Sequence, residues 1–208
     1  MIALQDNSPA VVSPGIYPML YAFFDDRGVL RQDPFRRQVD AALGTQAAGV
    51  AILGLGTEVS KLTFDERVEV LEVVAKRIDG CKPLLVTVYG DTITEQIEFS
   101  KRAIQSGASA LMLQPPSQKM DDAKLAGFFS EIISAVDCPV GIQNAPEFLG
   151  FGLSNQSLIA LANDHENFTI AKLECNAVNL ESVASELGSS VMLFNGRCGL
   201  ELPDNLRA

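Results

Sequence analysis

Short apolar runs alternate along the chain with longer segments of helical periodicity. Seven runs predict buried strands, at Ile16–Phe24, Gly49–Leu53, Leu84–Tyr89, Ala110–Gln114, Val140–Asn144, Phe168–Leu173 and Val191–Asn195. Six segments with apolar residues three and four positions apart predict helices, near residues 34–45, 64–78, 93–106, 121–136, 154–163 and 177–187. The runs are continuously apolar, as is typical of strands that are covered on both faces. A strand and a helix that repeat about every 25–30 residues predict parallel βα units.

Residues at the helix ends agree with this division. Thr63 and Glu66 have the spacing of a capping box, and Ser154 opens the segment near residues 154–163. Glycines separate several helices from the following strand, as C-terminal caps do: Gly44, Gly80, Gly107 and Gly188.

Two architectures accommodate parallel βα units, an open doubly wound sheet and a (β/α)8 TIM barrel. A dinucleotide-binding sheet carries Gly-x-Gly-x-x-Gly after its first strand. The nearest candidate, Gly54–Val59, follows the second strand and lacks the third glycine. Polar residues gather instead where the predicted strands end, and in a barrel these ends converge on the face that carries active sites. The pattern therefore favours the barrel.

The barrel is expected to be incomplete at its C-terminal end. Seven strands and six helices are visible, and Leu200–Ala208 is interpreted as the start of one more helix. A complete barrel has eight strands and about 250 residues, and an open sheet would leave apolar edges unpaired. We therefore expect residues 1–208 to form a single barrel domain that ends before the last helix, strand and helix.

Composition and charge narrow the class of partner. The 208 residues carry a net charge of −10 without a Lys/Arg cluster, which argues against a nucleic-acid partner. No apolar run approaches the roughly 20 residues of a membrane span, and the first 14 residues lack the pattern of a secretory signal. Four widely spaced cysteines (Cys81, Cys138, Cys175 and Cys198) and a single histidine argue against a zinc site and are typical of free thiols in a reducing cytoplasm. We expect a cytoplasmic protein with no cofactor, metal or membrane partner.

Lys172 stands out because it lies inside the apolar run Phe168–Leu173. A buried ammonium group is costly unless its charge is paired, solvated or lost. One interpretation is a strand end from which the side chain reaches solvent. The other is a functional amine at the active face of the barrel.

An amine in that position suits carbonyl chemistry. A lysine has an ordinary pKa of about 10.4 and must lose its proton to condense with a ketone. The resulting iminium draws electrons from the neighbouring carbon–carbon bond, and such a reaction also needs donors for a carboxylate and a group that transfers protons. Gly56 and Thr57, in the loop after the second strand, are candidates to hold the carboxylate, although the same loop is also explained as a tight strand-to-helix turn.

The chain resembles the dihydrodipicolinate synthase and N-acetylneuraminate lyase family of pyruvate-dependent class I aldolases. The resemblance covers essentially the whole chain, and the segments that carry it occur in the family's order and spacing: Gly15–Asp25, Gly54–Glu58, Leu62–Arg67, Pro115-Pro116, Gln143–Pro146 and Lys172. It implies a (β/α)8 barrel, a homo-oligomer (a tetramer or a dimer) and a 2-oxo acid bound covalently to Lys172. Asn144 is expected to shape the substrate pocket with Gln143, and Asn195, which ends the last predicted strand, is expected to line it.

The chain departs from the family pattern near that pocket. Gln143 stands where the family has a proton-shuttling tyrosine, and it has no phenol proton to exchange. Leu55-Gly56 replaces a pair of threonines, and Glu147 follows Pro146 where the synthases place an arginine for the second substrate. These differences argue against an authentic dihydrodipicolinate synthase but leave Lys172 in place.

Three functions are consistent with these residues. The first is a Schiff-base lyase or aldolase that acts on pyruvate or another 2-oxo acid, with Lys172 as nucleophile and Gln143 beside it. The second is 4-hydroxy-tetrahydrodipicolinate synthase itself, acting on pyruvate and aspartate semialdehyde. The third is a barrel that binds a 2-oxo acid without turnover. Glu174, two residues after the lysine, could orient the amine or lower its pKa, or it could point to solvent, and we expect it to point to solvent.

Overall fold

The computed structural model describes residues 10–197, 199–205 and 207. These residues form six strands: β1 (Val50–Ile52), β2 (Leu84–Val88), β3 (Ala110–Leu113), β4 (Val140–Asn144), β5 (Phe168–Leu173) and β6 (Met192–Asn195). They also form eight helices: α1 (Gln32–Leu43), α2 (Phe64–Ile78), α3 (Ile93–Gln105), α4 (Asp122–Ser134), α5 (Pro146–Leu149), α6 (Asn155–Asp164), α7 (Ala177–Leu187) and α8 (Leu202–Asn205). Short 3₁₀ helices occur at Leu55–Thr57, Val59–Lys61 and Gly188–Ser190.

The strands follow one another in the sheet in chain order, β1-β2-β3-β4-β5-β6. β1 runs parallel to β2, and β5 runs parallel to both β4 and β6, with helices in every connection. A doubly wound sheet reverses its strand order part-way, which this sheet does not do. The fold is therefore that of the predicted (β/α)8 barrel in incomplete form, with six strands among the described residues.

The prediction of a regular strand at Ile16–Phe24 is wrong. Only an isolated bridge joins Met19 to Ala51 of β1. The segment still follows β1, because the Ala51 N–H donates to the Pro18 carbonyl at 3.0 Å and the Leu20 N–H donates to the Ala51 carbonyl at 2.9 Å. Pro18 has no N–H of its own, so the ladder of hydrogen bonds is interrupted there.

The six predicted helices are confirmed within two or three residues at their ends. The capping box at α2 is present, since the Thr63 hydroxyl accepts from the Glu66 N–H at 3.2 Å and the Glu66 carboxylate accepts from the Thr63 N–H at 2.8 Å. The short helix α5 was not predicted, because four residues are too few to show a helical period. Pro146 opens it and Gly150, with φ of 77°, ends it.

The chain divides into two compact units. The first consists of Met1–Thr87 and Phe99–Leu111, and the second consists of Val88–Glu98 and Met112–Ala208. In the first unit every residue of β1 is buried, as is one face of α2. In the second unit every residue of β4 is buried, and fully buried side chains come from both helices and strands: Phe129, Ile132, Ile133, Leu158 and Phe168 among them.

Asp122, the first residue of α4, joins that helix to the start of α6. One of its carboxylate oxygens accepts from the Ser154 N–H, and the other accepts from the Ser154 and Ser157 hydroxyls, each at 2.8 Å. Burial alone would raise the pKa of Asp122, but the hydrogen bonds from Ser154 and Ser157 outweigh it and hold the pKa below 3.8. The carboxylate therefore stabilises the packing of α4 with α6 when it is ionised.

We expect Asp122→Asn to lower Tm by about 2–4 °C near neutral pH, the shift that corresponds to roughly 1 kcal/mol in a chain of this size. The folded pKa is depressed, so the contribution is present above the unfolded value and is lost as the pH falls through the folded value. Thermal melts at several pH values should show the difference from the parent fading below about pH 3.8. Asp26→Asn, at an exposed turn, is the control, and a difference that does not change with pH would contradict the account.

Three cysteines of the described region are free thiols, as predicted, at Cys81, Cys138 and Cys175. Burial, with the nearby Asp137, raises the pKa of Cys138 to about 11. Cys198 lies outside the described residues. Among those residues, no helix combines the length and the apolar character needed to cross a bilayer.

Candidate active site

Lys172 lies near the C-terminal end of β5 and forms an ion pair with Glu174. Its register partners are Gln143 in β4 and Phe194 in β6. The distance from Lys172 Nζ to Glu174 Oε1 is 2.9 Å. Residues two apart on an extended chain point to the same face, so the two side chains emerge together. The Lys172 side chain is 20% exposed.

The expectation that Glu174 points to solvent is wrong. Its side chain is only 5% exposed. The Glu174 N–H donates to the Asn144 carbonyl at 3.0 Å, so the backbone pairing with β4 continues one residue beyond the end of β5. This extension keeps the carboxylate on the lysine side of the sheet. The two-residue spacing from Lys172 is the sequence signal that predicts the contact.

Gln143 holds the Glu174 carboxylate from the neighbouring strand. Its Nε2 donates to Glu174 Oε1 at 2.7 Å, so that one oxygen receives both the amide and the lysine ammonium. The Gln143 side chain is fully buried, and its Oε1 has no hydrogen-bond partner within the described part of the chain. A buried acceptor of this kind is costly, by about 1–3 kcal/mol, until a donor reaches it.

Gly196, which follows β6, leaves the space that this ion pair occupies. A Cβ at position 196 would lie 2.5 Å from Glu174 Oε1 and 2.6 Å from Lys172 Cε. The Gly196 N–H donates to the Leu173 carbonyl at 3.3 Å, which brings its backbone against the end of β5. Sequence reasoning missed Gly196, because its role arises from the register of two strands and has no local signature.

The structure does not bring Asn144 to the same face as Lys172. Asn144 pairs in register with Leu173, one position beyond the lysine, and successive side chains of a strand point to opposite faces. Its amide donates to the Leu153 carbonyl and accepts from the Leu153 N–H, both at 2.9 Å. Asn144 therefore fixes the loop before α6.

Asn195 shares the register of Leu173 and so lies in the same row as Asn144. Its Oδ1 accepts from the Arg197 N–H at 2.7 Å. Its Nδ2 is buried and has no hydrogen-bond partner among the residues described. A substrate contact of Asn195 stays a prediction.

Gly56 and Thr57 belong to the first compact unit, where they lie in the 3₁₀ helix after β1. Both donors of Thr57 are used locally, since its hydroxyl donates to the Leu20 carbonyl at 2.5 Å and its N–H donates to the Gly54 carbonyl at 3.0 Å. The tight-turn interpretation of this loop is therefore confirmed. A carboxylate contact at Gly56 or Thr57 stays a prediction.

Arg197 is a second positive charge near the end of β6. Its guanidinium lies 3.5 Å from a carboxylate oxygen of Glu147 and 3.5 Å from one of Glu201. Its side chain is 14% exposed. Burial raises the pKa of Cys175, while Arg197 partly opposes that rise. Arg197 thus faces Glu147, the residue that stands where the resemblance leads one to expect an arginine.

Comparison with known sequences identifies one family. Residues 13–204 match the sequence model of the dihydrodipicolinate synthetase family. A 4-hydroxy-tetrahydrodipicolinate synthase of Pelobacter propionicus is 28% identical over 171 residues, which cover 81% of this chain and 59% of that protein. The putative 2-dehydro-3-deoxy-D-gluconate aldolase YagE of Escherichia coli K12 is 26% identical over 189 residues, which cover 90% of this chain and 63% of YagE.

Solved structures show the same fold. Dihydrodipicolinate synthase of Aquifex aeolicus superposes with a TM-score of 0.86 at 23% identity, over 91% of this chain and 65% of that one. YagE in complex with pyruvate superposes with a TM-score of 0.86 at 24% identity, over 92% and 66%. The chain thus spans between 59% and 66% of the length of these relatives.

Proposed function

Because the chain belongs to the dihydrodipicolinate synthetase family, we propose that it is a class I lyase or aldolase in which Lys172 forms a Schiff base with a 2-oxo acid. The observation that carries the proposal is the lysine amine itself. It stands at the C-terminal end of a parallel strand, the end that carries the active sites of this fold, and it is held in an otherwise apolar strand by a buried carboxylate.

Pyruvate is the first substrate to consider. The structure of YagE contains pyruvate, and the relatives are named as a 4-hydroxy-tetrahydrodipicolinate synthase and a putative 2-dehydro-3-deoxy-D-gluconate aldolase. In the proposed reaction the amine attacks the carbonyl carbon of the 2-oxo acid, water leaves, and the iminium stabilises a negative charge on the adjacent carbon.

Authentic 4-hydroxy-tetrahydrodipicolinate synthase activity is the second candidate, favoured by the similarity to the Pelobacter enzyme. Glu147 weighs against it, because an acidic side chain repels the carboxylate of aspartate semialdehyde. A coupled assay with pyruvate and aspartate semialdehyde distinguishes the two. Binding of a 2-oxo acid without any carbon–carbon chemistry would favour the third candidate, a non-catalytic barrel, for which the fully buried Gln143 in place of a tyrosine is the supporting observation.

The assembly and location are proposals of the same kind. We propose a homo-oligomer, a tetramer or a dimer, supported by the family resemblance, and light scattering of the purified chain measures its mass directly. We propose a cytoplasmic location, supported by the free thiols of Cys81, Cys138 and Cys175.

We expect sodium borohydride to trap a covalent adduct when the protein is incubated with pyruvate. At equal concentrations, acetone, a ketone without a carboxylate, should give at least about tenfold less adduct, because charge-assisted hydrogen bonds to a carboxylate contribute about 1.5–3 kcal/mol. Intact-mass spectrometry measures both. The absence of an adduct with pyruvate and with longer 2-oxo acids would refute the proposal.

A further inference from the structure

The Glu174 carboxylate contacts Lys172 Nζ, the nitrogen that attacks the 2-oxo acid in the proposed function. Its Oε1 lies 2.9 Å from Lys172 Nζ, and the side chain is 5% exposed. An N···O separation of this length brings the two groups close enough for direct proton transfer. The second donor to the same oxygen, Gln143 Nε2 at 2.7 Å, fixes the position of the carboxylate.

The surroundings of the ion pair are more specific than a structural role requires. A buried carboxylate–ammonium pair costs desolvation free energy and is often no more stabilising than apolar residues of the same volume. Here the pair is accommodated by the absence of a side chain at Gly196, and its amide partner Gln143 retains a buried oxygen without a partner in the described structure. Gln143 and Gly196 therefore both adjoin the Lys172–Glu174 ion pair.

We propose that Glu174 is the proton-transfer group of imine formation and fulfils the role for which Gln143 has no proton. This inference rests on the proposed function of Lys172 as the nucleophile. Under this proposal Glu174 is a catalytic residue, because its carboxylate touches the reacting nitrogen. Gln143 is the positioning residue that holds the carboxylate in place.

The proton balance of the step closes within this pair. The Lys172 ammonium gives a proton to the Glu174 carboxylate, which leaves a neutral amine and a carboxylic acid. The amine forms a bond from nitrogen to the carbonyl carbon of the 2-oxo acid, and proton transfer from nitrogen to oxygen gives a neutral carbinolamine. The Glu174 acid then donates its proton to the carbinolamine hydroxyl, the carbon–oxygen bond breaks, water leaves, and the nitrogen lone pair forms the iminium. The sum is ammonium plus ketone giving iminium plus water, with Glu174 returned as the carboxylate.

The unpartnered oxygen of Gln143 fits the same step. The carbinolamine carries a hydroxyl group that the free enzyme lacks, and a hydroxyl is the donor that a buried amide oxygen requires. The site thus has an acceptor for the intermediate beside the acid that protonates it.

The test is the time course of borohydride-trapped pyruvate adduct in Glu174→Gln. General acid–base catalysis contributes about 10²–10⁴-fold, so we expect the rate of adduct formation to fall by at least about 100-fold. The amount of adduct reached after long incubation should be retained, because Lys172 is still present. Glu181→Gln, on the exposed side of α7, is the matched control and should leave the rate unchanged.

Chemical rescue separates catalysis from a structural role. In Glu174→Ala, added formate should restore a large part of the rate by entering the space left by the carboxylate, and formate should have no effect on the parent. A Glu174→Gln rate within about twofold of the parent would overturn the inference, as would a loss in Glu174→Ala that formate does not restore. An unaltered chain that forms no adduct would refute the proposed function itself, and this inference with it.

Discussion

Lys172→Ala should abolish the borohydride-trapped adduct with every 2-oxo acid. In the proposed mechanism the adduct forms only at that amine. The same substitution should also destabilise the fold, because the Glu174 carboxylate, 5% exposed, would lose its cationic partner. Removing one member of a buried ion pair lowers the free energy of unfolding by about 3 kcal/mol, because the other charge stays buried without a partner. This corresponds to a fall in Tm of roughly 6–12 °C in a chain of this size.

A second variant separates the chemistry from the stability. Lys172→Ala combined with Glu174→Gln removes the stranded charge, so Tm should recover most of the loss while the adduct stays absent. Lys124→Ala is the control, because its ammonium group pairs with Asp121 at the surface and such pairs contribute little. Persistence of an adduct in Lys172→Ala would place the reactive amine elsewhere.

Gly196→Ala should disturb the same site without removing any functional group. The added methyl would lie 2.5 Å from Glu174 Oε1 and 2.6 Å from Lys172 Cε, so the two side chains must move. Overpacking of this kind costs about 1–3 kcal/mol, and a displacement of about 1 Å at a reacting centre lowers rates by about 100-fold. We expect the rate of adduct formation to fall by about that factor, with a Tm lower by only a few degrees.

Gly199→Ala is the matched control for this prediction. A Cβ at Gly199 meets no atom within 4 Å in the described part of the chain, and neither glycine has a positive φ. The comparison therefore isolates the steric effect on the ion pair. Equal rates for Gly196→Ala and the parent would show that the space at position 196 is not needed for the chemistry.

The helices and most strands were predictable because each has a local cause. Apolar spacing predicts α2 and the buried run predicts β5, and the capping residues Thr63 and Glu66 fix where α2 begins. The first predicted strand failed for a reason that is also local, since Pro18 removes one donor from the ladder beside β1.

The site was harder to predict because it depends on strand register. A residue at the C-terminal end of a strand is expected near the active face of a barrel. Its position in the sequence does not show on which side of the sheet its side chain lies. Gln143 and Lys172 share a row, and Asn144 lies in the next one with its amide bound to Leu153. The two-residue spacing made a contact between Glu174 and Lys172 one of two possibilities, and the solvent-exposed alternative was preferred because a charged residue after an apolar run is usually exposed.

The lysine alone does not identify the second substrate. Arg197 is shared between the carboxylates of Glu147 and Glu201, so the three groups together carry a net negative charge. An incoming aldehyde without a carboxylate suits this negative cluster better than one that carries a carboxylate. The charge of Glu147 therefore favours an aldolase or lyase over the synthase activity, and the coupled assay with pyruvate and aspartate semialdehyde decides between them.

A crystal structure of the protein soaked with pyruvate tests the central claim most directly. The account predicts continuous density from Lys172 Nζ to the second carbon of pyruvate, with Glu174 and Gln143 still in contact. Pyruvate bound apart from an intact Lys172–Glu174 ion pair, with no density joining it to the lysine, would contradict the account.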